Sequence, residues 1–218
     1  MMTDYIGMIF LLLTGLVAIY VGILLIKEYL NEKHIYHLYW GISFIVLFVA
    51  GVLIILFDWP ILGAPLVPFA STLIPLGLAL GLLYAVYEDK PYGNWFLIYG
   101  VIGLVLILLA GFNVANLGSL GYIFIMLVHI PCGLIIVVLP AYTAIKGETE
   151  GAAWFFSIGG LLISIGGMLL AFLKAGSPIL SANQIFAILA PLLLLVGAFF
   201  TLGIAKVSKW KVSIPPIS

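Results

Sequence analysis

Apolar and polar positions divide the chain into seven long apolar runs, near residues 5–26, 38–57, 66–87, 95–112, 121–145, 152–173 and 184–205. Each is close to the roughly 20 residues that a helix needs to cross the hydrocarbon of a bilayer. Short polar breaks separate them: Lys27 to His34, Asp58-Trp59-Pro60, Glu88 to Gly93, Asn113 to Asn116, Lys146 to Gly151 and Lys174 to Pro178. The pattern predicts an all-α, polytopic membrane protein: one domain over residues 1–218, with seven transmembrane helices and no soluble domain.

Composition agrees with a lipid setting. Of 218 residues, 65% are hydrophobic and 7% charged, against about 25% charged in an ordinary soluble domain. A single cysteine allows no internal disulfide and leaves the redox compartment open. There is no arginine and the formal net charge is zero, which argues against nucleic-acid binding because phosphate recognition relies on basic patches.

Lysines give the expected orientation. With seven spans, Lys27, Lys33, Lys90, Lys146, Lys206, Lys209 and Lys211 share one side and Lys174 lies opposite. The positive-inside rule makes that side cytoplasmic, with the N-terminus outside and the C-terminus inside, in a multi-pass protein of the cell membrane. The third run is the weakest span because it holds Pro65, Pro68 and Pro75; without it the same lysines would divide more evenly. Asp4 before the first run, and lysines only after it, argue against a signal peptide. Trp40, Trp95, Trp154 and Trp210 near one side, with Trp59 on the other, are expected as interfacial rings.

A faint internal repeat relates the first three runs to the last three. Thr14-Gly15-Leu16 resembles Cys132-Gly133-Leu134, Trp40 to Ser43 resembles Trp154 to Ser157, and the segment around Pro75 resembles that around Pro191, at separations of 118, 114 and 116. Triplets four helices apart point the same way, a parallel 3+1+3 plan known among transporters. Leucine-rich helices match one another easily, and on sequence alone that simpler account is preferred.

Candidate chemistry is sparse. His129 stands in the fifth run between Met126 and the helix-disturbing Pro131, next to Cys132. An ionisable ring about 12 Å deep is a default site hypothesis. The favoured account is structural: Pro131 deprives the Leu127 carbonyl of its donor, and His129 braces the kinked helix against a neighbour. A ligand site near His129, Ser164 and Thr14 is the functional account. Haem needs two axial ligands; His34 and His37 differ from His129 by roughly 15 Å in depth, so Met168 or a second chain would have to supply the other. No cofactor is predicted outright; haem or a quinone is the cofactor class considered. His34 and His37 share a helix face, and with Glu88 they form a weak metal-site candidate.

Several classes are excluded by missing motifs. There is no phosphate-binding glycine loop with lysine, no His-Glu-x-x-His and no Gly-x-Ser-x-Gly. No aspartate lies inside a run, and the seventh run has no buried lysine for a retinal Schiff base. No catalytic motif is found, so the chain is not expected to be an enzyme. Small residues form two stripes, Gly15, Ala18 and Gly22 in the first run and Gly160, Ser164 and Gly167 in the sixth, of the kind that lets helices approach closely in lipid. The leading expectation is a non-catalytic membrane subunit that packs with partner subunits, as in a respiratory complex, or with copies of itself. The alternatives are a small-solute or lipid-like-molecule carrier on the 3+1+3 plan, and a haem- or quinone-binding redox anchor.

Overall fold

A computed structural model describes residues 5–174 and 179–207. Asp4, Lys209, Trp210 and Lys211 lie outside the described residues. Seven helices carry the fold: α1 (Tyr5–Glu32), α2 (Ile35–Phe57), α3 (Val67–Val86), α4 (Tyr92–Gly111), α5 (Gly121–Ile145), α6 (Ala153–Lys174) and α7 (Ala182–Lys206). Each is long and apolar enough to span a membrane, and no strand occurs among the described residues. Short 3₁₀ segments, Trp59–Gly63 and Val114–Leu120, follow α2 and α4.

Local chemistry explains the boundaries. After α2 the chain turns at Asp58 (φ 58°), whose carboxylate accepts the Trp59 N–H at 2.9 Å. After α4 it turns at Asn113, whose Oδ1 accepts the Gly118 N–H at 2.9 Å. Helix α7 starts with a reciprocal cap between Ser181 and Gln184. The proline-rich third run is a continuous helix after all. Pro68 falls in its first turn, where no N–H is needed, and α3 is the most buried helix of the seven.

Six helices close a ring in the order α1, α2, α3, α5, α6, α7, with α7 back on α1; α4 lies outside it against α3 and α5. These neighbour relations are unchanged when α1, α2 and α3 are exchanged with α5, α6 and α7: α1–α2 becomes α5–α6, α2–α3 becomes α6–α7, and α3–α5 becomes α7–α1.

Burial follows the same exchange in the lysine-bearing halves of α1 and α5, but not where Gly7, Leu11 and Gly15 are buried and Ile125, His129 and Gly133 are not. Nor does it hold between α3 and α7, where at 116 only Leu80 with Val196 and Gly81 with Gly197 are both buried. Thr14, Ala18, Val21, Gly22 and Leu25 are buried in α1, and the residues 118 positions later, Cys132, Ile136, Leu139, Pro140 and Thr143, are buried in α5. The exposed faces correspond as well: Ile9, Leu12, Leu16, Tyr20 and Leu24 match Leu127, Ile130, Leu134, Val138 and Tyr142. Between α2 and α6 the separation that aligns burial is 116. It pairs Trp40 with Phe156, Gly41 with Ser157, Ser43 with Gly159 and Phe44 with Gly160, all buried. The separation of 114 suggested by the two tryptophans is therefore corrected: Trp154 is on the exposed face and Phe156 takes the place of Trp40.

Trp40 and Phe156 then meet. Their ring centroids are 5.9 Å apart, and Phe156 packs on Phe200 of α7 at 4.9 Å. Trp40 is 1% exposed and donates Nε1–H to the Leu78 carbonyl at 3.2 Å. This aromatic cluster fills the ring near the end that carries Lys33, Lys90 and Lys146. At the opposite end a separate core joins Leu11, Ile54, Trp59, Ile185, Leu189 and Ala190, with Trp59 stacked on Phe186 at 4.5 Å. Trp40 and Trp59 are thus core residues, a correction to their expected interfacial role. Trp95, 68% exposed, and Trp154 are on the outer surface of the bundle.

Candidate functional site

Helix α5 carries His129 eight residues from its start, about 12 Å along the axis. The ring is half-buried and its Nδ1 lies 3.1 Å from the Ile125 carbonyl one turn back. No other group bonds the ring among the described residues. The carbonyl freed by Pro131 does find a donor, but a different one: the Tyr99 hydroxyl of α4 donates to Leu127 O. The brace expected of His129 is therefore made by Tyr99, and His129 bonds only its own helix.

Ser164 faces the same seam from α6. Its hydroxyl donates to Gly160 O at 2.7 Å, and its Oγ lies 3.7 Å from where a Cβ on Gly133 would stand. Gly133 is one turn beyond His129 on α5, so His129 and Ser164 flank one α5–α6 seam. Lower in the seam the helices are tight: a Cβ on Gly160 would come within 2.6 Å of Ile136. Gly167 lies seven residues on, on the same face of α6, level with His129 in this antiparallel register. A Cβ there would find nothing within 4 Å. The seam opens from Gly160 toward Gly167.

Thr14 does not join this group. It is buried on α1, which packs on α2 and α7, and its hydroxyl donates to Phe10 O at 2.8 Å. Met168 is exposed on α6, as are Ile158, Leu161, Ile165 and Phe172.

The weak metal candidate also fails to assemble. His34 Nδ1 lies 3.8 Å from Glu88 Oε1, while His37 Nδ1 lies 3.7 Å from Glu32 Oε2. Each histidine thus faces its own carboxylate. Among the described residues no three His, Cys, Asp or Glu side chains are grouped to hold an ion.

Two small-residue stripes have different fates. Gly15 packs under Phe48, Gly22 meets Ile45 and the Gly41 carbonyl, and Ala18 is buried, so the α1 stripe serves the α1–α2 contact. In α6, Gly160 packs on α5 while Ser164 and Gly167 remain exposed. Apart from this seam, Ser157 has a buried Oγ with no hydrogen-bond partner among the described residues, and Trp40, Phe156 and Phe200 form an aromatic cluster. Comparison with known protein families, with characterised proteins and with solved structures finds no match for this chain.

Proposed function

We propose that the chain is a membrane carrier for a small, lipid-soluble molecule, built from two parallel three-helix units, α1–α3 and α5–α7, joined by α4. One observation carries this reading. Exchange of the two units preserves both the neighbour relations and a specific contact, Gly15 under Phe48 in the first unit and Gly133 beside Ser164 in the second. Those residues are related by the same separations, 118 and 116, that pair buried residues in the lysine-bearing halves of α1 with α5 and of α2 with α6. Two parallel units about an axis along the membrane normal form a plan in which one unit can rock against the other around a site between them. Trp40 and Phe156, equivalent in the exchange and in contact, stand at that axis. They would close the lysine-bearing end, which the positive-inside rule makes cytoplasmic.

The subunit expectation drew on the dry interior, the absence of a soluble domain and the small-residue stripes as docking surfaces. Of the stripes, Gly15, Ala18, Gly22 and Gly160 are taken up by packing within the chain, and Ser164 and Gly167 stay exposed.

The test is single-molecule fluorescence transfer in lipid nanodiscs, with dyes on Leu30→Cys and Gly151→Cys at the lysine-bearing ends of the two units. Cys132 is fully buried, so labelling goes to the introduced thiols. The carrier reading expects two exchanging distance populations; one narrow, static distance would overturn it.

A further inference from the structure

The two units differ most where α5 meets α6. In the first unit, Phe48 covers Gly15 at 3.4 Å from its would-be Cβ, and a Cβ on Gly51 would touch the Leu11 carbonyl at 3.7 Å. Leu11 is fully buried. At the equivalent places the second unit has Ser164 for Phe48, His129 for Leu11 and Gly167 for Gly51. A phenyl ring has been replaced by a hydroxymethyl, a buried leucine by a half-buried imidazole, and the glycine face is open. The result is a notch with polar atoms at a depth where polar atoms are costly unless they are used.

The hydrogen bonds in that notch fix what it can recognise. A carbonyl oxygen only accepts, so the proton of the neutral His129 ring sits on Nδ1, donated to Ile125 O. Nε2 is left with a free lone pair. Ser164 spends its proton on Gly160 O, so its oxygen too presents lone pairs. In this arrangement Nε2 accepts only, and the Ser164 oxygen accepts while its proton stays on Gly160 O, so the notch favours a donor. The exposure of Ser164 and Gly167 opens the notch to the bilayer rather than to an aqueous end.

We propose that the α5–α6 seam at His129, Gly133, Ser164 and Gly167 is a binding site for a lipid-soluble molecule bearing a hydroxyl group, entering from the membrane and donating its O–H to His129 Nε2. Alcohols, phenols and quinols fit this chemistry; ketones and quinones, which only accept, do not. The inference deepens the carrier reading and rests on it only for what the bound molecule does next.

The experiment compares 4-dodecylphenol with 4-dodecylanisole, two probes alike except for the O–H, by native mass spectrometry of the protein in nanodiscs. The expected result is phenol binding at least roughly tenfold tighter than ether binding, the scale of one hydrogen bond in a dry site. His129→Leu, which restores the residue of the first unit, should bring the phenol down to the ether's level. Ser164→Phe, which refills the notch as Phe48 does, should abolish both. Equal binding of phenol and ether to the unaltered protein marks a plain acyl-chain groove and overturns the proposal, with no variant needed. Phenol binding unchanged by His129→Leu overturns it as well. The two readings fail separately. Phenol binding with a single static distance between the labelled ends removes the carrier and leaves the site. Two exchanging populations without phenol preference remove the site's chemistry and leave the carrier.

Discussion

The first and second triplets share a topology, but they spend their interfaces differently. In α1–α3 a Cβ on Gly22, Gly41, Gly77 or Gly81 would come within about 3.0 Å of a neighbour. A Cβ on Gly81 would stand 2.1 Å from Trp40 Nε1, and one on Gly77 would meet Ser43 Oγ at 2.2 Å and the Tyr39 carbonyl at 2.8 Å. Ser43 adds a bond across to Ile74 O at 3.0 Å. In α5–α7 the residue equivalent to Gly81 is Gly197, also buried, where a Cβ would meet nothing within 4 Å, and that equivalent to Gly51 is the open Gly167. The second triplet is tight elsewhere, a Cβ on Gly159, Gly160, Gly166 or Gly203 coming within 3.0 Å of a neighbour, and its slack is confined to Gly167 and Gly197. Interiors are bistable rather than continuously deformable, so slack on one side only tells which unit carries the adaptable part.

Predictions follow from pressing on that difference, and the largest effect comes from the axis itself. Phe156→Ala removes the ring between Trp40 and Phe200 and should cost about 4 kcal/mol, as large-to-small changes of a fully buried aromatic do; reversible unfolding in bicelles reads it. Next is the glycine pair. Gly81→Ala forces a methyl into a buried indole and should cost about 3 kcal/mol, whereas Gly197→Ala should change stability by no more than about 0.5 kcal/mol in the destabilising direction. Equal losses at the two positions would erase the asymmetry. Ser157→Ala removes a buried, unpartnered hydroxyl and should stabilise by about 1 kcal/mol. Tyr99→Phe strands the Leu127 carbonyl beside Pro131 and should cost about 0.6 kcal/mol, the scale of hydrogen bonds measured between membrane helices. It should also leave a carbonyl band shifted to higher frequency in the infrared spectrum of the protein labelled with ¹³C=O leucine.

How much of this was legible beforehand depended on the kind of question. Seven apolar runs mark seven helices because lipid leaves the backbone no other way to satisfy its hydrogen bonds, and the observed bounds differ from the runs by a few residues, most at α1, which continues to Glu32. Which helices touch was not legible, since apolarity all round hides the packing face. For that reason the chain could announce that Leu127 O needed a donor but could not name Tyr99 on α4. The sequence echoes between the triplets are short, and the one that pairs Trp40 with Trp154 lies two residues from the pairing of buried residues, Trp40 with Phe156. A tryptophan in lipid serves equally as a core ring or as an interfacial one, and burial alone tells the two apart. His129 and Ser164 were picked out together because polar atoms are rare in these runs. Thr14 was picked with them for the same reason, although its partner is its own helix. The openness around Gly167 leaves no mark in a sequence, where a packed glycine and an unpacked one are the same letter.

The account turns on the α5–α6 seam being looser than its equivalent between α1 and α2. Dipolar broadening in electron paramagnetic resonance tests this with spin labels on equivalent lipid-facing pairs, Leu12→Cys with Val49→Cys and Ile130→Cys with Ile165→Cys; all four native side chains are exposed. A short, narrow separation in the first pair and a longer or broader one in the second is the predicted result. Superimposable distributions from the two pairs would contradict it.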